Sequence, residues 1–334
     1  MYQFALIGCG SVASRHADNI SRIGKLVAVC DIITDKADAF AKEYHAQAYY
    51  SIDELLAAEK DIDIISICTP NGLHAEHAIK PLQAGKHVLC EKPMCISSVA
   101  GWQMIDTAYH FRKKLFVVKQ NRFNPGVQLL KQLLAENKLG AIYSFQINCF
   151  WHRPQPYYIG GWKGDKDLDG GILYTQFSHF IDLLYWLLGD VKEVKAYTAN
   201  HQQRQHFALE DTGVAILQMQ SGAIGTLNYT INTTPKNIEG SITVFGEKGS
   251  IKIGGQYLNK VEWCTLPKAM PVLENNNPSN QYGFYEGSMS NHHLVYDHLI
   301  QALKNQSHSL VEAIEAIKTI EIIEKIYKAA QVIA

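Results

Sequence analysis

The sequence predicts an α/β protein of two domains, one with a mainly parallel sheet and the other an α+β domain with a large, mainly antiparallel open sheet. Three observations carry this. The 334 residues correspond to about two domains at roughly 150 residues each. Up to Gln120 the chain alternates short β-branched runs with helical patterns. After Asn124-Pro125 that rhythm gives way to consecutive strands joined by short turns. The expected division is therefore residues 1–120 and 121–334.

In the first part, Phe4–Gly8, Leu26–Asp31, Ile62–Thr69, His87–Glu91 and Lys114–Gln120 read as strands. They are near-continuous apolar runs, which need cover on both faces. Helical spacing over Ser11–Ile23, Lys36–Tyr44, Ile52–Ala57, Leu73–Ala84 and Val99–Phe111 supplies that cover. Strands alternating with helices imply parallel neighbours.

In the second part a helix over Val127–Glu136 ends at Gly140, and a strand follows over Ala141–Trp151. A loop rich in Pro, Tyr and Gly, His152–Gly171, leads into a long helix over Ile172–Leu188, stopped by Gly189-Asp190. Strands are expected at Val191–Asn200, Thr212–Gln220, Ala223–Asn232, Gly240–Gly246, Ser250–Gly254 and Lys260–Leu266. Ser221-Gly222 and Glu247-Lys248-Gly249 read as hairpin turns between them. Pro267–Ser290 is polar and loop-like, and helices over Asn291–Asn305 and Leu310–Ala330 close the chain.

Composition narrows the function. Lys plus Arg (31) nearly cancels Asp plus Glu (32), so the charge footprint of a nucleic-acid or membrane-surface protein is missing. No apolar run is long enough for a spanning helix. Met1-Tyr2-Gln3 runs straight into an apolar strand, without the basic start of a secretory signal. Seven cysteines without a C-x-x-C pair read as buried, reduced thiols of a cytoplasmic protein. There is no Walker lysine and no G-x-S-x-G elbow. His74 with His77, and His292-His293, lack the spacing and companion carboxylates of a metal site, so no metal is expected.

The chemistry begins at Gly8-Cys9-Gly10-Ser11-Val12-Ala13, a G-x-G-x-x-A turn between the first strand and the first helix. Gly8 makes the tight turn, and Gly10 lets the backbone of Gly10, Ser11 and Val12 approach a pyrophosphate at the helix N-terminus. Small Ala13 permits close helix–strand packing. Asp31 ends the second strand 21 residues after Gly10, where a carboxylate accepts hydrogen bonds from the adenosine ribose and repels a 2′-phosphate. Ile32-Ile33 supply no arginine for one. The cofactor indicated is NAD, on a Rossmann domain.

Further along stand Thr69-Pro70-Asn71 with His74, then Glu91-Lys92-Pro93, then Asp169-Gly170-Gly171-Ile172-Leu173 followed by His179 and Asp182. With the glycine turn, this set resembles the Gfo/Idh/MocA oxidoreductases over nearly the whole chain. The resemblance implies that Lys92 lies near the nicotinamide and the substrate hydroxyl, and that His179 is the proton acceptor. It adds Thr69, Asn71, His74, Glu91, Lys92 and Gln120 to the cofactor site. The family's acidic residue, four before the histidine, falls on Thr175, which can hydrogen-bond but cannot hold charge. Asp182 reads as a structural acid. The chemistry agrees: oxidising a secondary alcohol needs a base for the hydroxyl proton and a cation for the developing alkoxide.

Lys119-Gln120-Asn121-Arg122-Phe123-Asn124-Pro125, Trp151 to Tyr158, Trp162-Lys163-Gly164 and the run from Asp169 through Gln176 to His179 are similar to the WlbA-type UDP-N-acetylglucosaminuronate dehydrogenases. That branch implies oxidation of a sugar C3 hydroxyl, giving a 3-keto sugar for an aminotransferase in O-antigen synthesis. It assigns Arg122, Asn124, Arg153, Tyr157, Tyr158, Trp162, Lys163, Gln176 and His179 to the substrate. Cations suit a carboxylate and a diphosphate, and flat rings suit sugar and base. The chain departs from the branch at Lys163 (usually Arg), Asp165 (often Thr) and Thr175 (Asn). The alternatives are an inositol or free-sugar dehydrogenase of the same family, and a non-catalytic NAD-binding regulator. A homodimer or homotetramer is the expected assembly.

Overall fold

The computed structural model describes every residue except 204–206, 208, 267–272, 274–276, 284, 305–310 and 334, and only the backbone of Val311. The chain divides into two compact units. One comprises Met1–Val118 with His292–Ile320, and the other Lys119–Asn291 with Glu321–Ala334.

The first unit is built on β1 (Tyr2–Ile7), α1 (Ala13–Ile23), β2 (Gly24–Cys30), α2 (Thr34–Tyr44), β3 (Gln47–Tyr49), α3 (Ile52–Ala58), β4 (Ile64–Ile67), α4 (His74–Gln83), β5 (His87–Cys90), α5 (Ser98–His110) and β6 (Leu115–Val117). Its sheet runs β3-β2-β1-β4-β5-β6, with every pair parallel. Strand order reverses between β1 and β4, the switch point where such sheets bind ligands beyond their carboxyl ends. Phe4, Ala5, Leu6, Ile64, Ile65 and Ile67 are completely buried, as continuous apolar strands between two layers of helices must be. On α1 the buried residues are Ala13, His16, Ala17 and Ile20, one helical stripe. The three-residue edge strand β3 is too short for a sequence signal.

The second unit contains α6 (Pro125–Ala135), β7 (Ile142–Phe150), α7 (Ile172–Thr175), α8 (Ser178–Leu188), β8 (Val191–Ala199), β9 (Thr212–Met219), β10 (Ile224–Thr230), β11 (Glu239–Gly246), β12 (Ser250–Gly254), β13 (Lys260–Cys264) and the short pair β14 (Ser279–Gln281) and β15 (Glu286–Met289). The last elements of the chain are α9 (His292–Lys304), α10 (Val311–Ala329) and β16 (Ala330–Ile333). The large sheet runs β13-β12-β11-β7-β10-β9-β8-β16. It is antiparallel except at β10 with β7 and β16 with β8. One face is core: Phe145, Ile147, Cys149, Leu217 and Leu227 are almost fully buried. The other face exposes Tyr197, Val214, Ile216 and Ile224.

Three features differ from the expectation. The long helix over Ile172–Leu188 is two helices, because the Phe177 N–H reaches back five residues to the Ile172 carbonyl (3.0 Å) and opens a wide turn. The end of the last helix unwinds into β16, which pairs in parallel with β8 and so satisfies that strand's outer edge. Finally, His292–Ile320 belongs with the first unit, whereas a single cut near residue 120 assigns it to the second. The reason is amphipathic: His292, Val295, Tyr296 and Leu299 are the buried stripe of α9, and Tyr296 packs against Phe4 and His16. The β14–β15 pair lies where only loop was expected; the remainder of Pro267–Ser290 includes residues outside those described.

Candidate active site

The dinucleotide turn follows β1 directly. Gly8 has φ +95°, and its N–H donates to the Cys30 carbonyl at 2.7 Å. A Cβ there would lie 2.7 Å from the carbonyl carbon and oxygen of Cys68 and 2.9 Å from the Thr69 nitrogen, so no side chain fits. Gly10 is the opposite case. Nothing lies within 4 Å of where its Cβ would be, and the turn is open to an approaching group. Ser11 is exposed and Val12 half-buried. The first turn of α1 contains no acidic residue and no side-chain cap, leaving the positive end of the helix available to phosphate.

Asp31 holds this turn from the next strand. Its carboxylate accepts the Cys9 N–H (2.8 Å) and the Ile33 N–H (2.9 Å). It remains part-exposed, with lone pairs left for ribose hydroxyls. Cys9 and Cys30 pack beneath; burial pushes their thiols up to about 12 and about 11, and the Asp31 charge adds to this. None of the seven cysteines forms a disulfide among the described residues.

His74 has a different place from the one expected. Its ring nitrogens bond the Pro93 carbonyl (2.7 Å) and the Thr69 carbonyl (2.8 Å), and the residue is 1% exposed. It joins two turns, those of Thr69 and Pro93. Both acceptors are carbonyls, so a neutral ring satisfies one at a time. Burial favours the neutral ring and lowers its pKa. Nearby, His77 Nδ1 bonds the Thr69 hydroxyl at 3.1 Å. Asn71 and Glu91 are buried, and Lys92 is half-buried between Glu91 and Pro93.

In the second unit the wide turn at Phe177 sets out Thr175, Gln176, Ser178 and His179, all buried. His179 Nε2 lies 3.3 Å from Gln120 Nε2. An amide nitrogen only donates, so this imidazole nitrogen accepts, the state a base requires. Gln120 also reaches the Ser288 hydroxyl at 3.3 Å. The Thr175 hydroxyl donates to Asp169 Oδ1, which also takes the Gly171 N–H, while Oδ2 takes the Gly164 N–H. A carboxylate thus stands directly behind the threonine that occupies the family's acidic position. Burial pushes Asp169 up to about 6, against the hydrogen bonds it accepts. Glu210 bonds the Ile172 N–H (3.1 Å) and Tyr327. Burial, reinforced by Asp169, pushes it up to about 7.

Two expected substrate residues have other work. Arg122 forms a bidentate pair with Asp182, at 2.8 and 2.7 Å, and lies over the Trp186 ring. Asp182 is thus structural, as expected, and it holds the guanidinium intended for a substrate anion. Asn124 is fully buried, donating to the Tyr257 carbonyl and accepting from Asn291.

Arg153 and Lys163 are placed otherwise. Arg153 donates only to neutral oxygens: Gln176 Oε1 (2.8 Å), the His152 carbonyl (2.6 Å) and Asn237 Oδ1 (3.3 Å). Its guanidinium lies over the Trp151, Tyr157 and Tyr285 rings. Lys163 Nζ is 3.8 Å from the Tyr157 ring centre, and burial lowers its pKa. Gln176 donates to the Tyr157 hydroxyl. Tyr158 packs on Tyr157 and Phe207, and Trp162 is half-buried. Among the described residues no carboxylate hydrogen-bonds Arg153, whereas the Asp169 charge reaches Lys163 and favours its ammonium form. Sequence reasoning missed Tyr285, Asn237, Ser288 and Glu210. Tyr285 lay in a stretch dismissed as polar loop, and the others carry no motif.

A bare glycine turn at a helix N-terminus, with a carboxylate ending the following strand, defines a dinucleotide-binding protein. Residues 2–119 match the oxidoreductase family's NAD-binding Rossmann fold, and residues 131–332 match its C-terminal alpha/beta domain. The chain belongs to the Gfo/Idh/MocA family and is an NAD-dependent oxidoreductase. It is 35% identical to the WlbA dehydrogenase of Chromobacterium violaceum, with TM-score 0.88 over 98% of this chain and 93% of that one. The WlbA dehydrogenase of Bordetella pertussis gives 35% and 0.88 over 98% and 96%. Both of those crystal structures hold NADH and UDP-GlcNAcA. Glucose-6-phosphate 3-dehydrogenase of Bacillus subtilis is 27% identical over 308 residues, 87% of this chain and 86% of that protein. No helix among the described residues is long and apolar enough to cross a membrane.

Two predictions follow from the geometry. Gly8→Ala forces backbone apart at the switch point, so NAD affinity should fall at least about tenfold and Tm by several degrees; calorimetry and NAD titration measure both. Asp169 and Glu210 have folded-state pKa values above their ordinary 3.8 and 4.5. Stability present while both are protonated is therefore lost as pH rises from about 4 through about 7. Glu210→Gln, which keeps an acceptor for Ile172, should flatten the decline in Tm between pH 5 and pH 8. Superimposable wild-type and variant curves would contradict it.

Proposed function

We propose that this enzyme oxidises a secondary hydroxyl of an anionic sugar, and that its substrate is UDP-GlcNAcA, converted at C3 to the 3-keto sugar in polysaccharide-precursor synthesis. The observation that carries this reading is Arg153, buried against Trp151, Tyr157 and Tyr285 with only neutral hydrogen-bond partners among the described residues, beside the half-buried Lys163. A buried cation without a counter-charge is costly, and a carboxylate or phosphate of the substrate offsets that cost through charge-assisted hydrogen bonds. Inositol offers neither. The names of the 35%-identical relatives point the same way.

The fit to NAD rests on the open backbone at Gly10, the uncapped N-terminus of α1 and the lone pairs left on Asp31. When bound, NAD supplies the hydride acceptor. The protein's part is proton handling and positioning. His179 takes the hydroxyl proton at Nε2 once the substrate hydroxyl displaces the Gln120 amide from that lone pair. Lys92 donates a hydrogen bond to the same oxygen and stabilises its developing charge. Thr175, engaged with Asp169, orients the segment that bears Gln176 and His179. The exposed apolar stripe of Tyr197, Val214, Ile216 and Ile224 supports self-association through the large sheet, as a dimer or tetramer. The free thiols suit a reducing, cytoplasmic setting.

Lys92→Ala and His179→Ala should each lower kcat by about 100-fold or more, with NAD affinity changed little. Arg153→Met and Lys163→Met should raise KM for UDP-GlcNAcA by about 10- to 100-fold and leave any turnover of a neutral, unphosphorylated sugar unchanged. NADH formation with myo-inositol but with no anionic sugar would overturn the substrate assignment.

A further inference from the structure

Glu91 directly follows β5, buried in the first unit, and its two oxygens serve different neighbours. Oε1 meets His16 Nε2 at 2.9 Å and His292 Nε2 at 3.3 Å. Oε2 accepts the backbone N–H of Lys92 at 2.9 Å. His16 continues the network through Nδ1 to the Tyr296 hydroxyl at 2.7 Å, which bonds the Ser66 hydroxyl at 3.0 Å. Ser66, Tyr296, His16 and His292 are all less than 9% exposed. The four residues around Glu91 come from α1, β4 and α9.

The proton directions are self-consistent. If the Ser66 hydroxyl donates to Tyr296, Tyr296 donates to His16 Nδ1. His16 Nε2–H then donates to Glu91, and every ring is neutral. His292 likewise donates through Nε2–H, leaving its buried Nδ1 as a lone pair without a partner, cheaper than an orphaned N–H. Glu91 thus receives donors on both oxygens and offers none. Burial pushes its pKa up, but the bonds from His16 and His292 outweigh that and hold the carboxyl well below the usual range. Burial keeps His292 neutral.

We propose that Glu91, clamped by His16 and His292, is a positioning residue: it fixes the backbone of Lys92 and thereby the stem from which the lysine side chain works. The inference rests on the role given to Lys92 above. It assigns α9 a function besides packing, since that helix supplies both His292 and Tyr296 to the clamp. An acceptor-only group is required at position 91. A glutamine there keeps the Lys92 contact only if its N–H₂ faces the two histidines and both change tautomer, which leaves the His292 Nδ1–H buried without an acceptor.

The same three side chains have the composition of a metal site, with ligand atoms within 4.8 Å of one another, so the test must separate a hydrogen-bonded clamp from an ion. Glu91→Gln and His292→Ala should lower kcat per folded molecule by about 10- to 100-fold, while KM for NAD stays close to wild type and Tm falls by several degrees. His292→Gln, which restores a donor at the Nε2 position, should recover most of the loss. Dialysis against a strong chelator should leave kcat unchanged. Wild-type kcat in Glu91→Gln, or losses in kcat that merely track lost folded protein, would overturn the clamp. So would a chelator-sensitive kcat restored by Zn²⁺. Lys92→Ala run in parallel separates the two readings: full activity there sinks the role of Lys92 itself, whereas an inactive Lys92→Ala beside a fully active Glu91→Gln sinks only the positioning.

Discussion

The first unit depends on a steric constraint at Gly8. The end of β1 and the start of the β4 turn pass so close that no Cβ fits between them. That closeness brings the Cys68–Thr69 backbone beside the dinucleotide turn, and it is compatible only with a residue that tolerates positive φ. Asp31 then closes the turn from the far side by accepting the Cys9 N–H. The carboxylate therefore has a structural duty before it meets any ribose. A motif usually read as a list of ligand contacts is here also a solution to packing three strand ends together.

In the second unit the governing question is where each cation finds its counter-charge. Arg122 has Asp182 in a bidentate pair, so its charge is satisfied within the protein. Arg153 has three neutral oxygens and three aromatic faces, so it keeps a positive potential where water is largely excluded. The same residue type thus has its charge answered within the protein at one position and left to neutral oxygens and rings at another. Neutral acceptors and π faces can hold a guanidinium in place without neutralising it, which sets Arg153 apart from the structural ion pair of Arg122.

Much of this was legible in the sequence, for identifiable reasons. Continuous apolar runs revealed the parallel strands because burial on both faces leaves no alternation to disguise them. Gly8, Gly10 and Asp31 were legible because dinucleotide binding demands particular residues at close spacing. Arg122 was misread because its partner lies sixty residues away, and a sequence shows a cation without showing what answers it. Tyr285 stayed hidden in a polar stretch, since one ring beneath two cations leaves no periodicity. The break at Phe177 was invisible because a wide turn costs a single hydrogen-bond shift and no Gly or Pro marks it.

His16 and His292 show the same limit most sharply. Each is an unremarkable helix residue in its own segment, and 276 positions separate them in the 334-residue chain. Their significance arises only because α9 returns to the first unit and buries its stripe on α1. Hydrophobic periodicity predicts that stripe but not its destination. Once docked, the stripe carries two polar groups into a place without water, where each must find a partner. A carboxylate able to accept from both sides is what makes the docking tolerable, and its remaining oxygen is then committed to the next backbone N–H. The carboxylate that satisfies buried histidines is thus the same one that accepts the Lys92 backbone N–H, so packing of α9 and the backbone after β5 share one set of hydrogen bonds.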